Sequence, residues 1–165
     1  MANPGTGKKS NKKKSLNDGV VCRNKQATFK YEIVEQHEAG IILLGSEVKS
    51  LRTGEASLKE SFAVIKDDHV WLIGAFIPPY HHAYTQNHES TRKRELLLHR
   101  REIKKLSEEL KKGGMTLIPL ELRFNSRGYA KIVLALARGK RMYDKRQDLK
   151  KKDAERMINR RLRNS

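Results

Sequence analysis

The sequence has little cysteine and no long apolar run, and each of these absences excludes a class of protein. Its one cysteine, Cys22, excludes an internal disulfide and is typical of a reducing compartment. No apolar run approaches the roughly 18 residues that a membrane-spanning helix needs. No apolar signal-peptide segment follows the basic N-terminus. We therefore expect a cytoplasmic protein without a membrane partner.

Basic residues are abundant, and they are concentrated at the two ends of the chain. The 36 Lys and Arg against 19 Asp and Glu give a formal charge of +17. Residues 1–30 carry 8 basic and 1 acidic side chain, residues 31–139 carry 17 and 14, and residues 140–165 carry 11 and 4. Such a field attracts polyphosphates. The ends lack the bulky apolar face that membrane insertion needs, which favours nucleic acid as the partner.

The length fits one domain plus tails, since domains commonly have about 100–200 residues. Residues 1–19 have too little apolar surface to fold, so they are predicted to be a disordered basic leader. Residues 20–139 are the predicted folded domain, which we call the body. Residues 140–165 are the basic C-terminal tail, rich in helix formers but with a narrow apolar stripe. We predict that the tail is frayed alone and helical against a partner.

Several strands are predicted in the first half of the body. Alternation at residues 29–33 is typical of a half-buried strand, and the apolar run 41–44 predicts a strand buried on both faces. Ser46 is a candidate cap for a short helix over residues 47–52. Residues 61–65 and 70–77 flank a four-residue polar loop and predict a hairpin.

The second half of the body contains the clearest helix. Ile103, Leu106 and Leu110 share one stripe from about Arg100, and two glycines at 113–114 end the helix. Strands follow at 117–124 and 129–137, and a proline at position 119 needs a sheet edge or a bulge.

Five or six strands joined mostly by short turns predict a mainly β fold with a few helices. We expect a small closed antiparallel barrel of the oligonucleotide-binding type (OB-fold), because closure removes exposed strand edges. A ferredoxin-like sandwich is the alternative, and it is disfavoured because strands and helices do not alternate. The basic C-terminal tail follows this domain.

Three separate motifs carry a resemblance to a known family. They are GSEVKSLR at Gly45–Arg52, LLLHRREI at 96–103, and GK at 139–140 followed by YDKR at 143–146. Together they resemble the small protein B family, the tmRNA-binding proteins of bacterial trans-translation. The similarity spans residues 24–146 and agrees with the OB-type barrel.

The resemblance implies a non-enzymatic adaptor for ribosome rescue. It implies that the body binds the tRNA-like domain of tmRNA and delivers it to stalled ribosomes. The tail would enter the empty mRNA channel of the small subunit near the decoding centre. Elongation factor Tu in complex with aminoacylated tmRNA is a further implied partner. We expect a monomer that needs no cofactor and no metal ion.

The resemblance also assigns residues to two sites. On the tmRNA-binding face it places Asn24, Lys25, Glu38, Leu98 and Lys140. At the decoding-centre element of the tail it places Tyr143, Asp144, Lys145 and Arg146, and we add the basic run Lys150, Lys151 and Lys152. Glu95 departs from the family by replacing a basic residue, so it is not counted as a phosphate contact.

Basic and acidic side chains would contact different parts of an RNA. The basic residues Arg92, Lys93, Arg94, Arg100 and Arg101 are candidate phosphate contacts, with solvated surface charges as the alternative. A carboxylate is repelled by phosphates, so Glu38 would accept hydrogen bonds from base amino groups or sugar hydroxyls. Pairing of Glu38 with a nearby lysine is the alternative, and only the resemblance disfavours it.

The aromatic residues divide between core and RNA. Tyr143 lies in a cationic segment and is a candidate for stacking on an unpaired base, worth about 1–3 kcal/mol. Trp71, Phe62 and Phe76 lie in strand patterns and are expected in the core.

No motif indicates catalysis. The three histidines of the 80–90 loop have no metal-site spacing and are expected near RNA; they are His81, His82 and His88. No nucleophile, base and acid combine in a catalytic pattern, so an RNA-cleaving enzyme is the weakest alternative. A generic basic barrel that binds structured RNA or ribosomes is the stronger alternative.

Overall fold

The computed structural model describes residues 19–82 and 87–163, so residues 1–18 of the predicted leader lie outside the described part of the chain. Within it the chain forms seven strands and four helices. The strands are β1 (Val20–Arg23), β2 (Tyr31–Ile41), β3 (Phe62–Lys66), β4 (His69–Ile73), β5 (Arg94–Leu97), β6 (Met115–Phe124) and β7 (Ala130–Gly139). The helices are α1 (Ala27–Lys30), α2 (Gly45–Arg52), α3 (Arg100–Lys111) and α4 (Met142–Arg163).

The strands form one antiparallel sheet that closes into a ring. Its order is β1-β6-β3-β4-β5-β2-β7, and β6 also pairs with β7. Six strands therefore complete the ring, and β1 adds to it by pairing with β6. The mainly β prediction is confirmed. The strand count is higher than predicted because β1 is too short to show a clear alternation in the sequence.

The apolar core lies inside the ring and under the helices. Val70, Leu72, Leu96, Leu117 and Leu134 are almost fully buried there. From α3, Ile103 and Leu106 join the same cluster, as predicted from their spacing. Burial of such side chains is the main stabilising term of a domain of this size.

Helix α3 and strand β6 confirm two local predictions. The carboxylate of Glu102 accepts the His99 N–H at 3.0 Å, which satisfies a free donor at the start of α3. Gly113 and Gly114, both at positive φ, follow its end. In β6 the pairing with β7 shifts between Pro119 and Glu121, so the proline lies at a bulge.

The start of β2 differs from the prediction. Residues 27–30 form α1 instead of the first part of a strand, and β2 begins at Tyr31. The predicted buried strand at 41–44 is also wrong. β2 ends at Ile41, and Ile42 and Leu44 are 45% and 50% exposed. A four-residue apolar run carries no information about which side of the chain is covered.

The start of α2 also differs from the prediction. Ser46 does not cap the helix; instead the Glu47 carboxylate accepts the Leu44 N–H at 2.8 Å. An acidic side chain in the first turn also suits the positive end of the helix dipole.

The predicted hairpin is present as β3 and β4, with a tighter turn. Lys66 pairs with His69, so only Asp67 and Asp68 form the turn. Both have positive φ, at 52° and 59°, as the favoured two-residue hairpin turn requires. β4 ends at Ile73, earlier than predicted.

The tail forms the long helix α4, whose side chains are largely exposed. Its behaviour in the absence of a partner stays a prediction. No helix among the described residues is long and apolar enough to cross a membrane.

Candidate nucleic-acid interface

Asn24 and Lys25 follow β1, and their environments differ. The Asn24 amide donates to the backbone oxygens of Leu58, at 3.0 Å, and of Pro119, at 3.1 Å. Both amide hydrogens are therefore committed within the protein, and Asn24 ties β1 to two other segments. Lys25 is exposed and lies beside it. A direct RNA contact is thus geometrically simpler for Lys25, and for both residues the RNA role stays a prediction.

Glu38 lies near the end of β2, opposite Val133 of β7. It is exposed and forms an ion pair with Arg123 of β6. The partner is an arginine where a lysine was the expected alternative. An RNA that uses the Glu38 carboxylate has to share or replace Arg123, whose side chain is 41% exposed and itself suits a phosphate.

The basic run before β5 forms a buried ion cluster. Glu47 of α2 and Arg94 of β5 are both 0% exposed. Arg94 Nε donates to Glu47 Oε1 at 2.9 Å, and Arg92 Nε donates to the same oxygen at 2.8 Å. The other Arg94 donors reach the backbone oxygens of Ala75 at 2.7 Å, Arg92 at 3.0 Å and Ser90 at 3.1 Å. The expectation that Arg94 contacts phosphate is therefore wrong.

The electrostatics of this cluster follow from burial and pairing. Burial by itself raises the pKa of the Glu47 carboxyl, but the hydrogen bonds from Arg92 and the Leu44 N–H and the charge of Arg94 outweigh it. The pKa of Glu47 is therefore below its ordinary value. Burial lowers the pKa of the Arg94 guanidinium, and Glu47 opposes that change. Both groups are charged at neutral pH, so the cluster is a structural ion pair.

Three of the remaining predicted cations of the body are accessible to an anion, and one, Arg92, is not fully so. Lys93, Arg100 and Arg101 are exposed, the last two at the start of α3. Arg92 is 25% exposed and already bound to Glu47. Leu98 is half-buried and packs against the core, whereas its neighbour Leu97 is 54% exposed opposite Gly40. The resemblance singled out Leu98, and no pattern in the sequence showed that Leu97 is exposed.

Lys140 joins the tail to the body. Its N–H donates to the Lys30 backbone oxygen at 3.0 Å, and its Nζ donates to the Thr28 oxygen at 2.9 Å and to Asp148 Oδ2 at 2.6 Å. The Lys152 ammonium lies 5.5 Å from the centre of the Phe29 ring, within cation–π range. We call the interactions of α1 with Lys140 and Lys152, together with the ion pair between Lys140 and Asp148, the tail contact.

The predicted decoding-centre residues all lie in the first turns of α4. Asp144 and Arg146 are exposed, and Lys145 is half-buried. Lys150, Lys151 and Lys152 are exposed. Tyr143 lies in the same helix, and its side chain is outside what the structure describes. The tail thus presents its charge to solvent, in contrast to the cluster around Glu47.

The loop histidines do not form one group. His88 is buried, with Nδ1 3.0 Å from Ser46 Oγ and Nε2 3.1 Å from the Ile77 oxygen, so the expectation of an RNA-facing role is wrong for it. His81 and His82 are exposed. Within residues 19–82 and 87–163, no group of three or more His, Cys, Asp or Glu side chains could hold a metal ion.

Two aromatic residues that were expected in the core lie at the surface. Phe62 of β3 is 40% exposed and Phe76 is 43% exposed, whereas Trp71 of β4 is half-buried. β3 is apolar on both faces, so its pattern could not show which side of the strand faces water.

Comparison with known proteins gives the family. The model of the SmpB protein family matches residues 21–164. The SsrA-binding protein of Mycolicibacterium vanbaalenii is 48% identical over 155 residues, which are 94% of this chain and 93% of the relative. The SsrA-binding protein of Sphingomonas elodea is 49% identical over 144 residues, 87% of this chain and 90% of the relative.

A solved structure described as "tmRNA-SmpB: a journey to the center of the bacterial ribosome" contains a similar chain. The two share 45% identity with a TM-score of 0.64, over 75% of this chain and 86% of the other. The sequence and structural matches agree with the motifs and the ring of strands. This chain belongs to the SmpB protein family.

Proposed function

We propose that this chain binds the tRNA-like domain of tmRNA through its body and delivers it to stalled ribosomes for trans-translation. The observation that carries the proposal is the match to SsrA-binding proteins over nearly the whole length of both chains. The similarity to a chain described with tmRNA and the bacterial ribosome supports both partners. The ring of strands would serve as an OB-type barrel that grips RNA from outside, without catalysis.

The tail has a separate role in this proposal. Its exposed cations suit a path lined by phosphates, such as the empty mRNA channel near the decoding centre. The body would accompany aminoacylated tmRNA and elongation factor Tu as a monomer in the bacterial cytoplasm. The tail would act only after this complex reaches the ribosome.

A gel-shift competition at physiological salt tests the proposal. The protein should bind tmRNA with nanomolar-class affinity and prefer it clearly over tRNA and over unrelated hairpins. A generic basic RNA-binding protein would instead bind all three with affinities that fall together as salt rises, because its contacts are with phosphates alone. Equal affinities would therefore contradict the proposal. Divalent-metal-dependent cleavage of the RNA by pure protein would indicate a nuclease.

A further inference from the structure

A cavity of about 270 Å³ opens between α1, the start of β2, the turn before β3 and the start of β6. Its wall combines two aromatic rings, Phe62 and Tyr31, with the polar side chains of Gln26 and Thr116. Lys30 also lines it, from the last position of α1. A flat apolar face beside a few polar groups and a cation is the composition that a nucleotide needs.

The polar groups of the cavity wall have spare hydrogen-bonding capacity. Among the described residues, no side-chain hydrogen bond involves Gln26, Tyr31 or Thr116. An amide and two hydroxyls can each both donate and accept, so they can pair with the edge of any base. Phe62 of strand β3 adds an exposed ring. Its backbone is held in place by pairing with Ile73 of β4.

Two local features shape the wall of the cavity. Asn24 bridges the Leu58 oxygen, just before the turn, and the Pro119 oxygen in β6, and so fixes the separation of two walls. Glu60, at the cavity rim, has a φ of 61°, a left-handed conformation that is unfavourable for a residue with a side chain. A rigid wall lowers the entropy lost on binding. Asn24 is in this respect a positioning residue.

We propose that this cavity binds one unpaired nucleobase, which stacks on Phe62 and hydrogen-bonds to Gln26 and Thr116. The inference rests on the proposed function, because it takes RNA as the partner. Single-stranded bases are recognised in this way, by stacking on an aromatic ring and pairing along an edge. A base could come from tmRNA or from ribosomal RNA. Both RNAs are partners in the proposed function, and the cavity lies beside the tail contact because the two share α1.

Binding of small molecules by the full-length protein tests the base directly. In a ¹⁵N–¹H NMR titration, adenosine monophosphate should shift the backbone amides of Gln26, Phe62 and Thr116 with saturation. Ribose 5-phosphate carries the same sugar and phosphate without a base, and should leave these amides unchanged. Equal shifts with both compounds would show a phosphate site only, and no shift with adenosine monophosphate would show no site. Either result overturns the inference.

Variants then identify the source of the base. Phe62→Ala should weaken binding about tenfold, as loss of one stacked base does. The loss should appear in binding to the tRNA-like domain if the base comes from tmRNA, and only in binding to ribosomes carrying tmRNA if the base comes from ribosomal RNA. Phe62→Trp should keep the affinity, since it retains a ring. Phe76→Ala is the matched control, because Phe76 is equally exposed but does not line the cavity, and it should bind as the wild type does.

The two binding measurements, one with the tRNA-like domain and one with ribosomes carrying tmRNA, separate this inference from the proposed function on which it rests. If Phe62→Ala changes neither affinity while the wild type still prefers tmRNA, the cavity does not bind a base and the proposed function stands. If Phe76→Ala lowers affinity as much as Phe62→Ala, the loss is a general surface effect and the inference is wrong. Gln26→Ala, at an exposed position, gives a second test that does not alter strand β3.

Discussion

The body and the tail use the same charged residue types in opposite ways. In the body, Arg94 and Glu47 are fully buried, and every Arg94 nitrogen has a partner within the fold. In the tail, the side chains of residues 150–162 are all exposed. A buried, fully paired arginine cannot meet a phosphate, whereas an exposed one pays almost no desolvation cost to do so. Burial, more than residue type, therefore separates structural cations from candidate RNA contacts.

Loss of the buried cluster is the largest effect that we predict. Glu47→Gln keeps the shape of the side chain but leaves Arg94 buried without a counter-charge, which should cost about 3–5 kcal/mol of unfolding free energy. Urea denaturation at neutral pH measures it. Glu109→Gln is the matched control, because Glu109 forms only a surface pair with Lys112. Similar small losses in both variants would show that the body does not depend on its buried ions.

The same cluster predicts a dependence of stability on pH. The folded pKa of Glu47 lies below the ordinary 4.5, so the carboxylate stabilises the fold fully above that pH. The contribution is lost as the pH falls through the folded pKa. The difference in stability between wild type and Glu47→Gln should therefore be constant near neutrality and shrink below about pH 4.5. A difference that stays constant to low pH would contradict this assignment.

The next effect concerns the tail alone. Replacing Asp144, Lys145 and Arg146 with alanine should nearly abolish tagging on stalled ribosomes, because in the proposed function these residues act at the decoding centre. Binding of tmRNA should stay unchanged, because the body is intact. Alanine at Asp153 and Arg156, an ion pair further along α4, is the control and should lose much less. Equal loss of tmRNA binding and tagging would show that body and tail are not separate modules.

Local patterns explain what the sequence could predict. Helix α3, the β3–β4 hairpin and the bulge at Pro119 depend on residues close together in the chain, and all three are present. The burial of Arg94 also had a signal, since it alternates with Leu96 and so shares the inward face of β5. Its partner Glu47 is 47 residues away, and no local pattern connects the two.

The site was harder to predict than the fold because it depends on which face of an element is covered. Phe62 and Phe76 are residue types typical of a core, yet 40% and 43% of their surfaces are exposed. The cavity unites α1, β3 and β6, which are distant in sequence. Its composition could be read only after the ring of strands had brought these segments together.

A single charge change on the body should have an intermediate effect. Glu38→Arg places a cation beside Arg123 and removes a hydrogen-bond acceptor, and it should weaken tmRNA binding about tenfold without unfolding the protein. The fold should tolerate it, because an exposed ion pair contributes no more than about 1 kcal/mol. Glu32→Arg makes the same charge change at another exposed position of β2. If Glu38→Arg leaves the tmRNA affinity unchanged, or if Glu38→Arg and Glu32→Arg weaken it equally, Glu38 has no specific role in RNA binding.

The smallest predicted effect tests the connection between the two regions. Asp148→Asn removes the charge that Lys140 holds at 2.6 Å and should free α4 from α1 while leaving the body unchanged. The hydrogen bond from Lys140 lowers the pKa of Asp148 below 3.8, so the contact persists above that pH and is lost as the pH falls through the folded pKa. Hydrogen exchange at neutral pH should become faster along α4, and tmRNA affinity should not change.

Asp153→Asn distinguishes docking from helix stability. It makes the same chemical change in the same helix, but Asp153 is exposed and pairs within α4, with Arg156 at 3.7 Å. If the tail contact holds α4, exchange should accelerate in Asp148→Asn and far less in Asp153→Asn. Equal acceleration would mean that α4 is stabilised by its own side-chain pairs. A helix with a narrow apolar stripe is expected to need a partner. An isolated peptide of residues 140–165 should therefore show little helix by circular dichroism, and a stable helix in that peptide would also mean that α4 is stabilised by its own side-chain pairs.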